Sequence, residues 1–415
     1  MRLARRSKVL ALLACLAAAG GCALSPPPQP DELQKEALPN LTVPPAWASP
    51  GALDGAVKDN WVASFGDPAL ESLVQEALSY NADLRLASAR VAQAAANVEL
   101  AGATLYPHVG ALARKSASTG GDGYGMNIFG LFASWEIDVW GRARAQRAGA
   151  RSQYAASEYD LAYARQSIAA LVVKSWVIAV AAGEQKSQTD AMIASAQRLV
   201  SMAGDRLRIG VGNDFDLAQA QAALGGYQDV AIQLDLARQQ AVRALETLLG
   251  RYPSAELTVG TSLPSAPPPV PAGLPSQLLG RRPDVLAAQQ RVVAAFYGVE
   301  QAKAARLPQI TLTAGVNSVS SDLILLKNRN NPVWGGGGTL LAPIFMGGAL
   351  EAQVRIADAT QKSALANYGQ VAGQAFAEVE SALSSGFFAA QRADALAGVV
   401  NDRERTVKLA GERYR

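Results

Sequence analysis

The chain is 415 residues long, 49% hydrophobic but only 6% aromatic, with a formal net charge of +3, one histidine and two cysteines. One His and two Cys leave no material for a zinc-type site or a disulfide framework, and the alanine-rich apolar fraction favours long, thinly packed helices over a thick globular core. Four basic residues (Arg2, Arg5, Arg6, Lys8) and no acidic ones fall in 1–21, so without that segment the charge becomes −1 and nothing argues for a nucleic-acid partner.

Those basic residues precede a short apolar run, Val9 to Ala19, too short to span a bilayer, which reads as a secretory signal over 1–21. Ala19-Gly20-Gly21-Cys22 resembles a bacterial lipobox, making Cys22 the expected lipidated first residue of the mature chain. Ala23 rather than Asp follows it, which resembles lipoproteins sent to the outer membrane. Cys15 leaves with the signal. Residues 22–60, rich in Pro, Ser and Ala, read as an extended, lipid-anchored tether.

A helix is expected over Trp61–Ser79, followed by one over Asp83–Tyr106 that Pro107 ends. In the second helix Ala87, Val91, Ala94, Val98 and Ala101 recur in steps of four and three, the seam of a coiled coil. Two strands follow: His108 to about Ser118, and Tyr124–Val139, joined by the turn Thr119–Gly123. In the second strand Phe129, Leu131, Ala133, Trp135, Ile137 and Val139 share one face, and Ser134, Glu136 and Asp138 the other. A long helix then runs from Gly141 to about Arg208, with Leu171, Ile178, Met192 and Leu199 at heptad spacings. Ile209–Asn213 breaks it, Asp214 is placed to cap the next helix, and Gly250 and Pro253 stop that helix.

The second half repeats the plan. Asp83–Pro107 reappears without a gap as Asp284–Pro308, so the unit is about 200 residues, far longer than a solenoid repeat. The expected division is 61–262 for the first repeat, a Pro-rich linker over 263–275, and 276–415 for the second repeat. Its strands are Gln309–Val316, where Ile310, Leu312, Ala314 and Val316 alternate with Gln309, Thr311, Thr313 and Gly315, and Val333–Phe345. Leu323–Leu326 forms an apolar patch in the loop between them. The end of the chain, Ala410–Arg415, aligns with Ala203–Arg208, so the second repeat is expected to lack its last helix, and a trimer of this chain to be unstable or leaky.

Each half is expected to set one long helix antiparallel to two shorter ones. Four strands cannot close a barrel, and an open sheet edge is untenable in lipid. Three copies supply twelve strands, an acceptable barrel. Gln309, Thr311, Thr313, Glu136 and Asp138 then face a watery lumen; Glu136 and Asp138 have a second reading as solvated residues at the strand–helix junction.

Several segments together resemble the outer-membrane factor family, the TolC-like channels: Phe65-Gly66-Asp67-Pro68, Asn81-Ala82-Asp83-Leu84, Trp135 to Arg142, Leu278 to Val285, and Ala342-Pro343-Ile344-Phe345 with Gly347-Gly348. With the lipobox, the chain is similar to NodT-type efflux lipoproteins. The resemblance implies a mainly α protein with a membrane β-barrel portion, as a homotrimer with a twelve-stranded barrel and a helical tunnel. It also implies a lipid-anchored outer-membrane location and the role of exit duct in a tripartite pump, joined through a periplasmic adaptor protein to an inner-membrane transporter. The turn carrying Arg208, Gly210, Gly212, Asn213, Asp214 and Asp216 becomes the adaptor-facing tip. A duct for protein secretion and a pore-free coiled-coil lipoprotein are the alternatives. No cofactor is expected: Gly335–Gly338 lacks the Gly-Lys-Ser/Thr of a phosphate loop. No Ser-His-Asp or Cys-His set can be assembled, so no enzyme is expected.

Overall fold

The computed structural model describes residues 25–53, 55–57, 59–115, 127–264, 266–269, 271–320 and 332–413. The signal, Cys22, the turn Thr119–Gly123 and the patch Leu323–Leu326 lie outside the described residues. In order the elements are α1 (Pro30–Ala37), a single 3-10 turn (Trp61–Phe65), α2 (Pro68–Tyr80), α3 (Ala82–Ala103), β1 (His108–Lys115), β2 (Asn127–Ile137), α4 (Arg142–Arg208), α5 (Asp214–Leu248), α6 (Pro275–Arg281), α7 (Pro283–Ala304), β3 (Gln309–Ser320), β4 (Pro332–Leu341) and α8 (Ala349–Arg413). α4 spans 67 residues and α8 spans 65.

The chain forms two compact units, each discontinuous in sequence. One contains 44–89, 160–278 and 379–415; the other contains residues up to 43, 90–159 and 279–378.

The first unit holds the principal apolar cluster. Leu70, Val74 and Ala77 of α2 and Leu84 of α3 meet Ile168, Val172, Trp176, Ala179 and Val180 of α4. Val242 and Leu245 of α5 join them. The long apolar stretch of α4 is therefore core here. The heptad positions read from sequence, Leu171, Ile178, Met192 and Leu199, are exposed instead. The stripe one residue further round the helix, Val172 with Trp176 and Ala179, makes the contacts within the chain.

Asn81, buried, ties the unit together: its amide nitrogen donates to the Leu248 carbonyl that ends α5, and its oxygen accepts from Asp83 N and Leu84 N at the start of α3. The sequence expectation of one helix over Trp61–Ser79 is corrected. The chain breaks at Gly66, and Asp67 caps a separate α2 by accepting from Ala69 N and Leu70 N, with Pro68 next in line. The expected tether is also not simply extended. In this unit Ala48 N and Ser49 N donate to the Glu380 carboxylate, and the Trp47 indole donates to Gly273 O. In the other unit α1 is helical and buries Leu33.

The second unit holds the only sheet among the described residues: four antiparallel strands in the order β1-β2-β3-β4. In the same unit, at the start of α7, Arg282 holds Asp284 and Glu378 in a double ion pair, which together keep the guanidinium firmly protonated, above its ordinary range.

Candidate functional site

The sheet sorts side chains by chemistry. Directly opposed residues of an antiparallel pair share a face. The β2–β3 and β3–β4 registers place Ile137, Ile310 and Leu340 in one row, and Trp135, Leu312 and Gly338 in the next. Val109, Ala133 and Ala314 follow, then Ala111, Leu131, Val316 and Trp334. These four rows are apolar; beyond them the same face carries Ser318, then Lys115, Asn127 and Ser320. On the other, Glu136 sits beside Thr311 and Thr339, and His108 beside Ser134, Thr313 and Gly337. Gln309 shares that side with Thr311 and Thr313, as the alternation predicts. The fourth strand ends at Leu341 rather than Phe345, and the third runs on to Ser320.

One residue on the polar face is aromatic and was not singled out from the sequence. Phe132 stands in a row with Gly110, Gly315 and Gly335. Its ring lies over Gly110, where an added Cβ would come within 2.5 Å of it. The signal was parity: Phe132 is even-numbered between Leu131 and Ala133, so it points opposite to both.

Glu136 and Asp138 are both engaged by arginines at the junction between strand and helix. Glu136 forms a two-pronged pair with Arg142, at 3.0 and 2.7 Å. Asp138, its side chain 9% exposed, accepts from Ala143 N and Arg144 N and pairs with the Arg144 guanidinium at 3.2 Å. It is thus the N-terminal cap of α4, where a carboxylate meets unpaired amides and the positive end of the helix dipole. Two indoles complete the junction: Trp135 donates to Leu105 O at 3.0 Å and Trp140 to Pro308 O at 2.7 Å.

The second candidate region is the turn between α4 and α5, in the first unit. Arg208 closes α4, paired with Asp205 at 2.9 Å. Val211 N and Gly212 N both donate to Arg206 O, and Gly210, at φ +78, supplies the left-handed step that ends the helix. Asn213 caps α5 by accepting from Asp216 N at 2.8 Å, correcting the assignment to Asp214. Asp214 and Asp216 lie in the first turn, where negative charge complements the helix N-terminus. Ile209, Val211 and Phe215 are exposed around them. Among the described residues no group of three or more His, Cys, Asp or Glu is placed to hold a metal.

The family model for outer membrane efflux protein matches residues 73–251 and 274–415. The chain is similar to the pyoverdine export outer membrane protein OpmQ of Pseudomonas aeruginosa, 32% identical over 398 residues, covering 91% of this chain and 81% of that one. It is also similar to the cation efflux system protein CusC of Escherichia coli O6:H1, 31% identical over 376 residues, covering 88% and 80%. Among solved structures, the CmeC outer membrane channel of Campylobacter jejuni superposes with a TM-score of 0.83 at 27% identity, covering 91% of this chain and 85% of that one.

Proposed function

We propose, on the premise that this chain belongs to the outer membrane efflux protein family, that three copies close their sheets into a twelve-stranded wall and serve as the passive exit duct of a tripartite pump. The chain is an outer-membrane channel component of an efflux pump; the trimer, the partners and the cargo are the proposal. The observation that carries it is the open four-stranded sheet, in which the rows nearest the helices are apolar on one face and carry Glu136, Thr311, Thr339, Ser134 and Thr313 on the other. An edge strand left bare in lipid strands its N–H and C=O groups, so the sheet needs further strands, and its apolar face suits hydrocarbon. Gln309, Thr311 and Thr313 then line water, with Glu136 and Asp138 fixing the rim where strand turns into helix.

The exposed stripe Leu171, Ile178, Met192 and Leu199 of α4 supports the same reading, since a neighbouring copy would cover it. The turn with Arg208, Gly210, Gly212, Asn213, Asp214 and Asp216 is assigned to contact with the periplasmic adaptor protein, which leads to an inner-membrane transporter. Cys22 carries the lipid anchor. The duct is a conduit, not a catalyst. Its cargo is small molecules, and the choice among them is assigned to the transporter: OpmQ is named for pyoverdine and CusC for cations, yet this chain resembles both about equally. Native mass measurement of the detergent-solubilised protein tests the reading. A three-chain particle is the result expected, and a single-chain particle would overturn it. Crosslinking in intact cells names the adaptor.

A further inference from the structure

In its row of the polar face, Phe132 alone carries a side chain. Its partners across the sheet are Gly110 on one side and Gly315, then Gly335, on the other. The ring leans across the strand pair onto Gly110. A Cβ built there would stand 2.5 Å from the ring carbon Cζ and 2.9 and 3.1 Å from the two Cε carbons. Such similar distances to three ring atoms put that point over the face of the ring, not beyond its edge. One face of the ring therefore lies against the wall of the sheet. Phe132 is nonetheless 50% exposed, so the opposite face is open. Leu112, in the next row away from the helices and opposite Gly130, is 49% exposed on the same side.

We propose that Phe132 is a cargo-contacting residue of the lumen, and that the open face of its ring takes flat aromatic cations. The inference rests on the channel reading above and adds that one level of the wall discriminates among the molecules passing it. Under three-fold closure the three rings stand at one height. Glycine within a strand leaves backbone that another group can approach closely, so a flat molecule can lie beside each ring without meeting a projecting side chain. The face of an aromatic ring is the negative side of its quadrupole, which attracts cations and the edges of other rings. The rows between Phe132 and the helices offer little competition. Apart from His108, they hold the neutral Ser134, Thr311, Thr313 and Thr339, and Glu136, whose charge is already paired with Arg142.

A purely structural role would ask less of this position. Covering Gly110 needs an apolar side chain, and leucine is one. Only an aromatic ring supplies a π-face.

The test photolabels the full chain, solubilised in detergent, with the azide of ethidium, a flat aromatic cation, and reads the labelled peptides by mass spectrometry. Label is expected on the β2 peptide containing Phe132. Ethidium should compete it away, and tetraethylammonium, which has the charge without the rings, should not. Phe132→Leu should reduce the label about two- to fivefold, the ratio that an exposed cation–π contact supports. Phe132→Trp should keep or raise it. Equal labelling of the unsubstituted protein and Phe132→Leu overturns the proposal, and so does equal competition by the two cations. Single-channel conductance is recorded on the same preparations. A protein that conducts but shows no ring-dependent label overturns this inference and leaves the channel reading intact. One that neither conducts nor takes the label overturns both.

Discussion

Replacing Glu246 with glutamine removes a buried charge on which three consecutive backbone amides converge. The carboxylate, in a residue 3% exposed, accepts from Ala255 N at 2.7 Å, from Glu256 N and Leu257 N at 3.0 Å each, and from the Ser254 hydroxyl at 3.4 Å. Burial alone would push its pKa up, but the donors from Ala255, Leu257, Glu256 and Ser254 prevail and hold it below the ordinary carboxylate range. Ala255, at φ +64, and Leu257 are thereby pinned against the apolar cluster. A hydrogen bond to a charged acceptor contributes about 1.5–3 kcal/mol. Glutamine keeps one acceptor oxygen and turns an amide NH2 toward donors, so the loop loses about 3 kcal/mol, or roughly 100-fold in its opening equilibrium at ~1.4 kcal/mol per tenfold. Hydrogen exchange read at residues 255–257 should accelerate by about that factor, while the α4 amides around Trp176 stay protected. Because the folded pKa is depressed, the stabilisation is complete above the unfolded carboxylate range and fades as pH falls through the lower folded value. Unchanged exchange at 255–257 in the glutamine variant would refute the reasoning.

Other substitutions test separate parts of the account. Asn81→Ala strips the α3 cap and leaves Leu248 O without its side-chain donor. It should cost about 2–4 kcal/mol, read as a lower midpoint of thermal unfolding followed by circular dichroism, with Asn81→Asp only partly restoring it. Gly110→Ala drives a methyl into the Phe132 ring and should destabilise by about 1–3 kcal/mol; adding Phe132→Leu should recover most of the loss, and an additive double variant would contradict the packing. Glu380→Gln should speed limited proteolysis around Trp47, since the Ser49 and Ala48 donors hold the Glu380 carboxyl below its ordinary range. Acidification through that lowered value should release the same segment in the unsubstituted protein, whereas it is held above it. Asn213→Ala should weaken the start of α5 by about 1 kcal/mol, seen as faster exchange at 214–217 only.

The strands were legible because alternation has a period of two and the sheet obeys it. Ile310, Leu312, Ala314 and Val316 read correctly from the sequence, and their partners followed. The helical seam was harder. In α4 both Leu171 with Ile178 and Val172 with Ala179 recur at seven residues, and only the packing of α2 and α5 decides which stripe is inside. The cap of α5 turned on neighbouring Asn213 and Asp214, two residue types with nearly equal capping strength. Glu136 and Asp138 were read as carboxylates on the polar strand face, and parity was right for Glu136. The return of Arg142 and Arg144 across the strand–helix turn, six residues on, has no periodic signature. Nor does the Glu380 carboxylate, which receives Ala48 and Ser49 from more than 300 residues away in sequence.

The central claim is that identical chains share their strands to make a water-filled passage through lipid. Single-channel recording of the purified protein in a planar bilayer addresses it directly. Discrete, reproducible conductance steps that require the assembled oligomer are predicted. A protein that inserts as an oligomer yet carries no ionic current above the bare bilayer would contradict the claim.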